Sequence, residues 1–209
     1  MSFYENYWSN KIKNRALNND DERHFNLKWP KLKKYLPKQG TIVDFGCGDG
    51  EILKKMQTIN PNAKYIGLDV SRFALDKASS KLPDVEFHQI IDGGSFPVEN
   101  GSVDFIFSSE VIEHIYDSKN AFLEMNRILR PNGRILLTTP YHGILKNIIL
   151  AFFNFEKHFD PTGPHIRFYT KKSLFFCLRT FVGGGILEYG YFGRFFPIPH
   201  CIFVLAEKK

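Results

Sequence analysis

Apolar positions along the chain repeat with two different periods, and the two alternate. Thr41-Ile42-Val43-Asp44-Phe45 is a short β-branched run opened by Gly40 and closed by Gly46, as expected of a buried strand. Ile52, Leu53, Met56 and Ile59 then recur at helical spacing until Asn60-Pro61-Asn62 ends them. Tyr65 to Leu68 reads as a second strand ending at Asp69, and Ser71 is placed to cap a helix carrying Phe73, Ala74, Leu75 and Ala78. A third strand spans Val85 to Ile91 and a fourth Val103 to Phe107. Phe122, Leu123, Met125, Ile128 and Leu129 lie along one helix side, which Arg130-Pro131-Asn132-Gly133 should stop. Arg134 to Thr138 makes a fifth strand before Pro140.

Strands alternating with helices at this spacing predict right-handed crossovers, a mostly parallel sheet and helices on both faces, an α/β fold. After Pro140 the rhythm breaks. An insertion of about 141–170 carries the apolar block Ile148 to Phe153, too short to span a bilayer. Packing as a lid helix is its expected role, with an apolar acceptor channel or a shallow membrane contact as alternatives. Lys172 to Thr180 forms one more helix. Ile186 to Phe192 and Cys201 to Glu207 are too close for a crossover and should pair as an antiparallel hairpin. The expected organisation is one domain over 1–209 with an N-terminal arm, 1–38.

Composition changes this picture little. With 209 residues, 43% hydrophobic and 24% charged, the chain is ordinary for a folded domain. Three widely spaced cysteines speak against a disulfide scaffold and a CxxC zinc site. Met1 to Glu5 lacks a basic segment followed by an apolar run, so a cytoplasmic location is expected. The net charge of +6 gathers in part at Lys28, Lys31, Lys33, Lys34 and Lys38. That cluster reads as a solvated helix face first and an anionic partner second.

Candidate chemistry begins at Asp44-Phe45-Gly46-Cys47-Gly48-Asp49-Gly50, between the first strand and first helix, where open α/β sheets bind ligands. Asp69 ends the second strand 19 positions after Gly50, where a carboxylate can accept both ribose hydroxyls. Glu51 breaks the GxGxxG pattern and no GxxxxGK[ST] occurs. Two carboxylates, Asp44 and Asp49, would repel a pyrophosphate but attract a sulfonium and an ammonium. This selects S-adenosylmethionine over NAD and ATP, with a ligand-free tight turn as the alternative.

Together with Gly67-Leu68-Asp69, Gly101-Ser102-Val103-Asp104, Ser108-Ser109-Glu110-Val111-Ile112-Glu113-His114 and Leu129-Arg130-Pro131-Asn132-Gly133, the loop resembles class I S-adenosylmethionine-dependent methyltransferases. Within these, the chain resembles small bacterial enzymes related to the quinone-biosynthesis branch, at motif level over about 38–140. The resemblance implies a Rossmann-like seven-stranded sheet in the order 3-2-1-4-5-7-6 with strand seven antiparallel. It implies that Asp44, Gly46 and Gly48 line the methionine end of the cofactor, with Cys47 a small filler, and that Asp69, beside Val70, takes the ribose. Asp92 matches the position that meets adenine, although Gly93-Gly94 would equally make it a turn residue. Ser109 and Glu110 should close over the methionine and face the acceptor.

On the acceptor side the candidate catalytic residues are His142, Glu110 and His165, with His142 as general base or structural turn histidine. Tyr141, His142, His165 and Arg167 are candidates for acceptor binding. The arm supplies Tyr4, Tyr7 and Trp8 as candidates for acceptor or cofactor contact, with simple docking onto the domain as the alternative; sequences of the resembled group often begin with such an aromatic arm. His158, Asp160 and His165 have metal-ligand chemistry but no recognisable spacing, and no metal is expected. The expected reaction is methyl transfer to a small-molecule acceptor, at oxygen. An RNA methyltransferase and a non-catalytic S-adenosylmethionine-binding partner protein are the rivals. A transmembrane segment is not expected, peripheral membrane contact is an open alternative, and the oligomeric state is not legible.

Overall fold

A computed structural model describes residues 3–13, 20–160, 163–193 and 198–209, without the side chains of 3–4, 11–13, 20–24, 27 and 157. Its seven strands are β1 (Gly40–Phe45), β2 (Ala63–Asp69), β3 (Glu86–Gln89), β4 (Val103–Ser109), β5 (Leu129–Pro140), β6 (Gly184–Phe192) and β7 (Cys201–Lys208). They lie in the order β3-β2-β1-β4-β5-β7-β6. β7 is antiparallel to both neighbours, and the pairings among β1 to β5 are parallel. The expected sheet is therefore the observed one.

Period-two alternation explains why these runs are strands. Ile202, Val204 and Ala206 of β7 enter one core layer, while Phe203 and Leu205 enter the other. On one face lie α3 (Glu51–Ile59) and α4 (Arg72–Lys81), burying Leu53, Met56 and Leu75. The opposite face is covered by α5 (Ser118–Ile128) and α8 (Lys171–Phe181), burying Phe122, Met125, Leu174 and Leu178. Ser71 caps α4 as expected, accepting from the Ala74 N–H.

Three boundaries differ from expectation. β3 is only four residues long, Glu86–Gln89 within the expected Val85 to Ile91, and is an edge strand paired with β2 alone. Leu129 caps the C-terminus of α5, its N–H donating to the Met125 carbonyl, and at the same time pairs with Val103, so β5 starts there with no loop between. The register then jumps to Phe105 opposite Arg134, so Arg130 to Gly133 loop out of the strand, with Asn132 at φ 62°. The apolar block does form a helix, α6 (Ile144–Phe153), followed by α7 (Phe155–His158). Yet Ile144, Phe152 and Phe153 are 82%, 80% and 84% exposed. The buried residue of α6 is Lys146, whose ammonium donates to the Tyr141 carbonyl (2.7 Å). Core packing is therefore not what the apolar side chains of this helix do. No helix among the described residues is long and apolar enough to cross a membrane.

The arm begins with α1 (Phe3–Lys13) and α2 (Asp20–Leu32). Glu5 anchors α1 at the start of α4, accepting from Arg72 N–H (2.7 Å), Phe73 N–H (3.2 Å) and the Ser71 hydroxyl (3.1 Å). An anion there satisfies helix N–H groups and suits the helix dipole. Glu5→Ala should lower stability by about 1 kcal/mol and speed amide exchange across α1 while the sheet stays protected. Unchanged exchange in α1 would show that something other than Glu5 holds the arm.

Candidate functional site

β1 and β2 end side by side, and the chain leaving β1 turns at once. Gly46 and Cys47 donate their N–H groups to the Leu68 carbonyl (2.7 and 3.1 Å), tying the loop to the end of β2. Gly46 and Gly48 hold φ of 79° and 54°, a region that disfavours side chains. Packing makes the same demand. A Cβ on Gly46 would lie 2.3 Å from Val111, and one on Gly48 would lie 2.3 Å from the Trp8 ring. Trp8 of the arm thus lies against the glycine loop. Its neighbour Tyr7 meets the Trp8 ring edge-on at 5.7 Å, whereas the Tyr4 side chain lies outside the described residues.

Asp69 is buried, its Oδ2 accepting from Gly48 N–H (2.8 Å) and its Oδ1 from Ser71 N–H (2.9 Å). Burial pushes its carboxyl up, while these N–H groups act in the opposite direction. With the Val70 N–H also bonding the carboxylate, about one acceptor site remains for a further donor, such as a hydroxyl of a diol. Asp44 is 1% exposed, and no donor among the described residues reaches its Oδ2. Burial, then the charge of Asp69, pushes its carboxyl up to about 8. A buried, unsatisfied carboxylate is costly unless a cation meets it. Asp49 does not add to this demand, because Lys81 pairs with it at 2.9 Å. The loop's unmet demand for a cation is therefore focused on Asp44, which a ligand ammonium would ionise and pair with, as that of S-adenosylmethionine can. Cys47 is buried with its thiol pushed well up, first by burial and then by Asp69, so it is an inert filler.

Asp92 is exposed and occupied. Its oxygens accept from Tyr116 N–H (2.6 Å) and Asp117 N–H (2.9 Å), and Gly93 follows at φ 78°. These contacts are those of the turn alternative, although each oxygen keeps a lone pair.

Across the sheet edge, Glu110 leaves β4 at φ 56°. Its Oε1 accepts from Lys28 Nζ (2.9 Å), Thr138 Oγ1 (2.8 Å) and Cys201 Sγ (3.1 Å), and Ser109 Oγ lies 2.9 Å from Thr138 Oγ1. Burial raises the Glu110 carboxyl, but Lys28 and the three hydrogen bonds outweigh it and the net direction is down. Glu110 is a fixed anion, suited to positioning rather than to removing a proton. Lys28 was not legible as a site residue. Its partner lies 82 positions away, and within the lysine cluster it resembles its exposed neighbours. Lys31 lies over the Phe203 ring (4.8 Å), and Lys34 pairs with Glu188 (3.6 Å). Three of the five clustered lysines are thus engaged within the chain.

His142 lies at the end of β5, 3% exposed, with Nδ1 3.0 Å from Asn147 Oδ1 and its ring against Phe168 (4.9 Å) and His158 (5.3 Å). Burial pulls its imidazole down to about 4, with the Asn147 bond acting against it. Neutral at pH 7, it is weak as a proton acceptor. The Tyr141 ring packs on Tyr191 (4.9 Å). Arg167 donates to the carbonyls of Ile115 and Tyr116, which holds its segment over the turn after β4. His165 is exposed and stacks on His114 at 4.9 Å. Burial, then His114, lowers its imidazole.

Residues 12–181 match the sequence model of a family described as a methyltransferase domain. Among curated proteins, the malonyl-acyl-carrier-protein O-methyltransferase of Hahella chejuensis is 32% identical over 99 residues, 47% of this chain and 36% of its own length. A ubiquinone/menaquinone biosynthesis C-methyltransferase of Desulfotalea psychrophila is 28% identical over 122 residues, 57% of this chain and 48% of its own. The tRNA (carboxymethyluridine(34)-5-O)-methyltransferase of Arabidopsis thaliana is 31% identical over 117 residues, 53% and 27% respectively. The alignments therefore span less than half the length of each relative. Among solved structures, one chain of the complex between the Haloferax volcanii Trm112 methyltransferase activator and a methyltransferase superposes with a TM-score of 0.75. It is 17% identical, over 96% of both chains. A SAM-dependent methyltransferase of Aquifex aeolicus gives 0.70 at 18% identity, over 95% of this chain and 98% of its own. At those identities the likeness is one of fold.

Because the folded chain keeps a proton on Asp44 that the unfolded chain loses above about pH 4, stability should fall as pH rises from there through 8. Asp44→Asn removes this penalty. Without cofactor, the variant should be more stable than the parent by at least ~1 kcal/mol at pH 8 and equal to it near pH 4. Denaturant titrations at both pH values measure this, and a variant less stable at pH 8 would mean that Asp44 has a compensating partner.

Proposed function

The chain belongs to the methyltransferase-domain family, which uses S-adenosylmethionine, and we propose that it transfers the methyl group to an oxygen of a small-molecule acceptor. The observation that carries the donor half is the buried Asp44 carboxylate, without a donor on Oδ2 among the described residues, beside Asp69. When bound, S-adenosylmethionine supplies an electrophilic methyl together with its leaving group, so the protein needs no nucleophile. Asp44 then meets the ammonium, Gly46 and Gly48 let the backbone approach, and Asp69 with Val70 receives the ribose. Asp92 and Gly93 flank the adenine, and Ser109 and Glu110 border the reacting end.

The acceptor half rests on coarser support. A relative named as an O-methyltransferase matches nearly half of the chain. The exposed apolar side chains of α6, on the segment that leaves β5 through Tyr141 and His142, suit an acceptor with an apolar portion. Tyr141, His142, His165, Arg167 and the arm residues Tyr4, Tyr7 and Trp8 form the proposed acceptor side. Seating the acceptor in line with the methyl is their main contribution. A carboxylate or phenolate acceptor suits a site whose histidine at β5 and whose Glu110 are both poor proton acceptors. The engaged lysines weigh against RNA, despite the tRNA-modifying relative.

Methyl-labelled S-adenosylmethionine, purified protein and an extract of the source cells test the proposal. Label should enter the small-molecule or lipid fraction, and Asp44→Asn should reduce it at least ~100-fold, as loss of a charge-paired contact does. Label in RNA would overturn the acceptor class. Absence of label with donor binding intact would favour a non-catalytic partner protein.

A further inference from the structure

Away from the glycine loop, three side chains with metal-ligating atoms converge where the turn after β4 meets the insertion. Glu113 is 1% exposed, in the short turn Ile112–His114. Its Oε2 accepts from Thr139 Oγ1 (2.9 Å), while Oε1 is buried with no hydrogen-bond partner among the described residues. His114 Nε2 lies 3.8 Å from that Oε1. The other ring nitrogen, Nδ1, is 2.8 Å from the Pro164 carbonyl, which only accepts. Nδ1 therefore carries a proton, which makes Nε2, on the side of Glu113, the nitrogen that a metal ion would use. His165 completes the group, with one ligating atom from each residue within 4.8 Å of the others.

Burying a carboxylate oxygen without a donor is unfavourable, and buried charges are normally paired or bound to a metal. The surroundings are also those of a ligand set. A backbone carbonyl fixes the His114 tautomer and a threonine hydroxyl orients the carboxylate, the outer-shell contacts that metal ligands need. The Glu113 carbonyl accepts from the N–H groups of Ile166 and Arg167 (both 3.0 Å), which holds the His165 segment against the turn.

We propose that Glu113, His114 and His165 form a binding site for a divalent transition-metal ion, with two imidazole nitrogens and one carboxylate oxygen as ligands. That set suits zinc and its first-row neighbours better than magnesium or calcium, which take oxygen ligands. Bonds near ~2.1 Å in a tetrahedron put ligands about 3.4 Å apart, so atoms now up to 4.8 Å apart must close by as much as about 1.4 Å, and the exposed His165 is the ligand with room to move. Three protein ligands leave a position open beside the exposed ring. An acceptor oxygen bound there would be polarised and would lose its proton more readily. This last role rests on the proposed acceptor side; metal binding does not.

The test uses the full, untagged chain after chelator treatment, without methyl donor or acceptor. Zinc is titrated by calorimetry and cobalt(II) by its visible absorption. One ion per chain should bind at micromolar affinity or tighter, and cobalt should show the bands of a low-coordinate nitrogen–oxygen set. His165→Ala, at an exposed position, and the isosteric Glu113→Gln should each weaken zinc binding at least ~10-fold with unchanged circular dichroism. His88→Ala, on β3 where His88 pairs with Glu86 at 2.6 Å, should not. Failure to bind zinc at micromolar concentration, equal binding by His165→Ala and Glu113→Gln, or loss of binding in His88→Ala would each overturn the site. None of these results depends on which acceptor is methylated.

Discussion

A carboxylate buried at the end of β1, with an oxygen that no donor among the described residues reaches, is the constraint around which the rest of the site is arranged. Parallel pairing of β1 with β2 brings Asp44 and Asp69 to the same edge. Two like charges in a desolvated place oppose each other, and the chain resolves them differently. Asp69 is anchored by backbone N–H groups from the glycine loop and from the start of α4. Asp44 is left for a cation. Lys81 neutralises Asp49 nearby, and Glu5 and Trp8 close the arm over the loop. Stability conceded at Asp44 becomes affinity for a ligand that brings its own positive charge.

The other half of the site separates a second pair of acids. Glu110 and Glu113 lie three residues apart, one pushed down by Lys28 against its burial, the other pushed well up by burial and by Glu110. Neighbouring carboxyl groups pushed in opposite directions by their surroundings are a common arrangement at reacting centres. Lys28 ties α2 of the arm to β4, β5 and β7 at once, through the shared Glu110 oxygen. The arm therefore reaches both the donor loop and the acceptor edge.

Strand positions were legible because parallel strands are buried on both faces and read as continuous apolar runs. Asp44, Asp69 and the glycines were legible for a related reason: the chemistry sits in a strand–helix turn whose spacing is local. Contacts between distant segments were not. Nothing around Lys28 distinguishes it from Lys31 or Lys33, and the partner that buries it is found only in three dimensions. Likewise, the apolar periodicity of Ile144 to Phe153 specifies a helix but not what covers it. Arg130 to Gly133 was read correctly as a turn, though it loops out of a strand that starts earlier, since a bulge leaves little mark on hydrophobic spacing. Glu113 has no role assigned from the sequence, and only its buried oxygen, without a hydrogen-bond partner among the described residues, marks it.

Proton release on binding S-adenosylmethionine tests the central claim most directly. Calorimetric titrations at pH 7 in buffers of different ionisation enthalpy count the protons exchanged. If Asp44 is the ammonium's partner and holds a proton up to about pH 8, binding should release close to one proton at pH 7. The release should fade by about pH 9 to 10 and be absent in Asp44→Asn. Tight binding with no proton released at pH 7, or a release that survives in Asp44→Asn, would contradict the account.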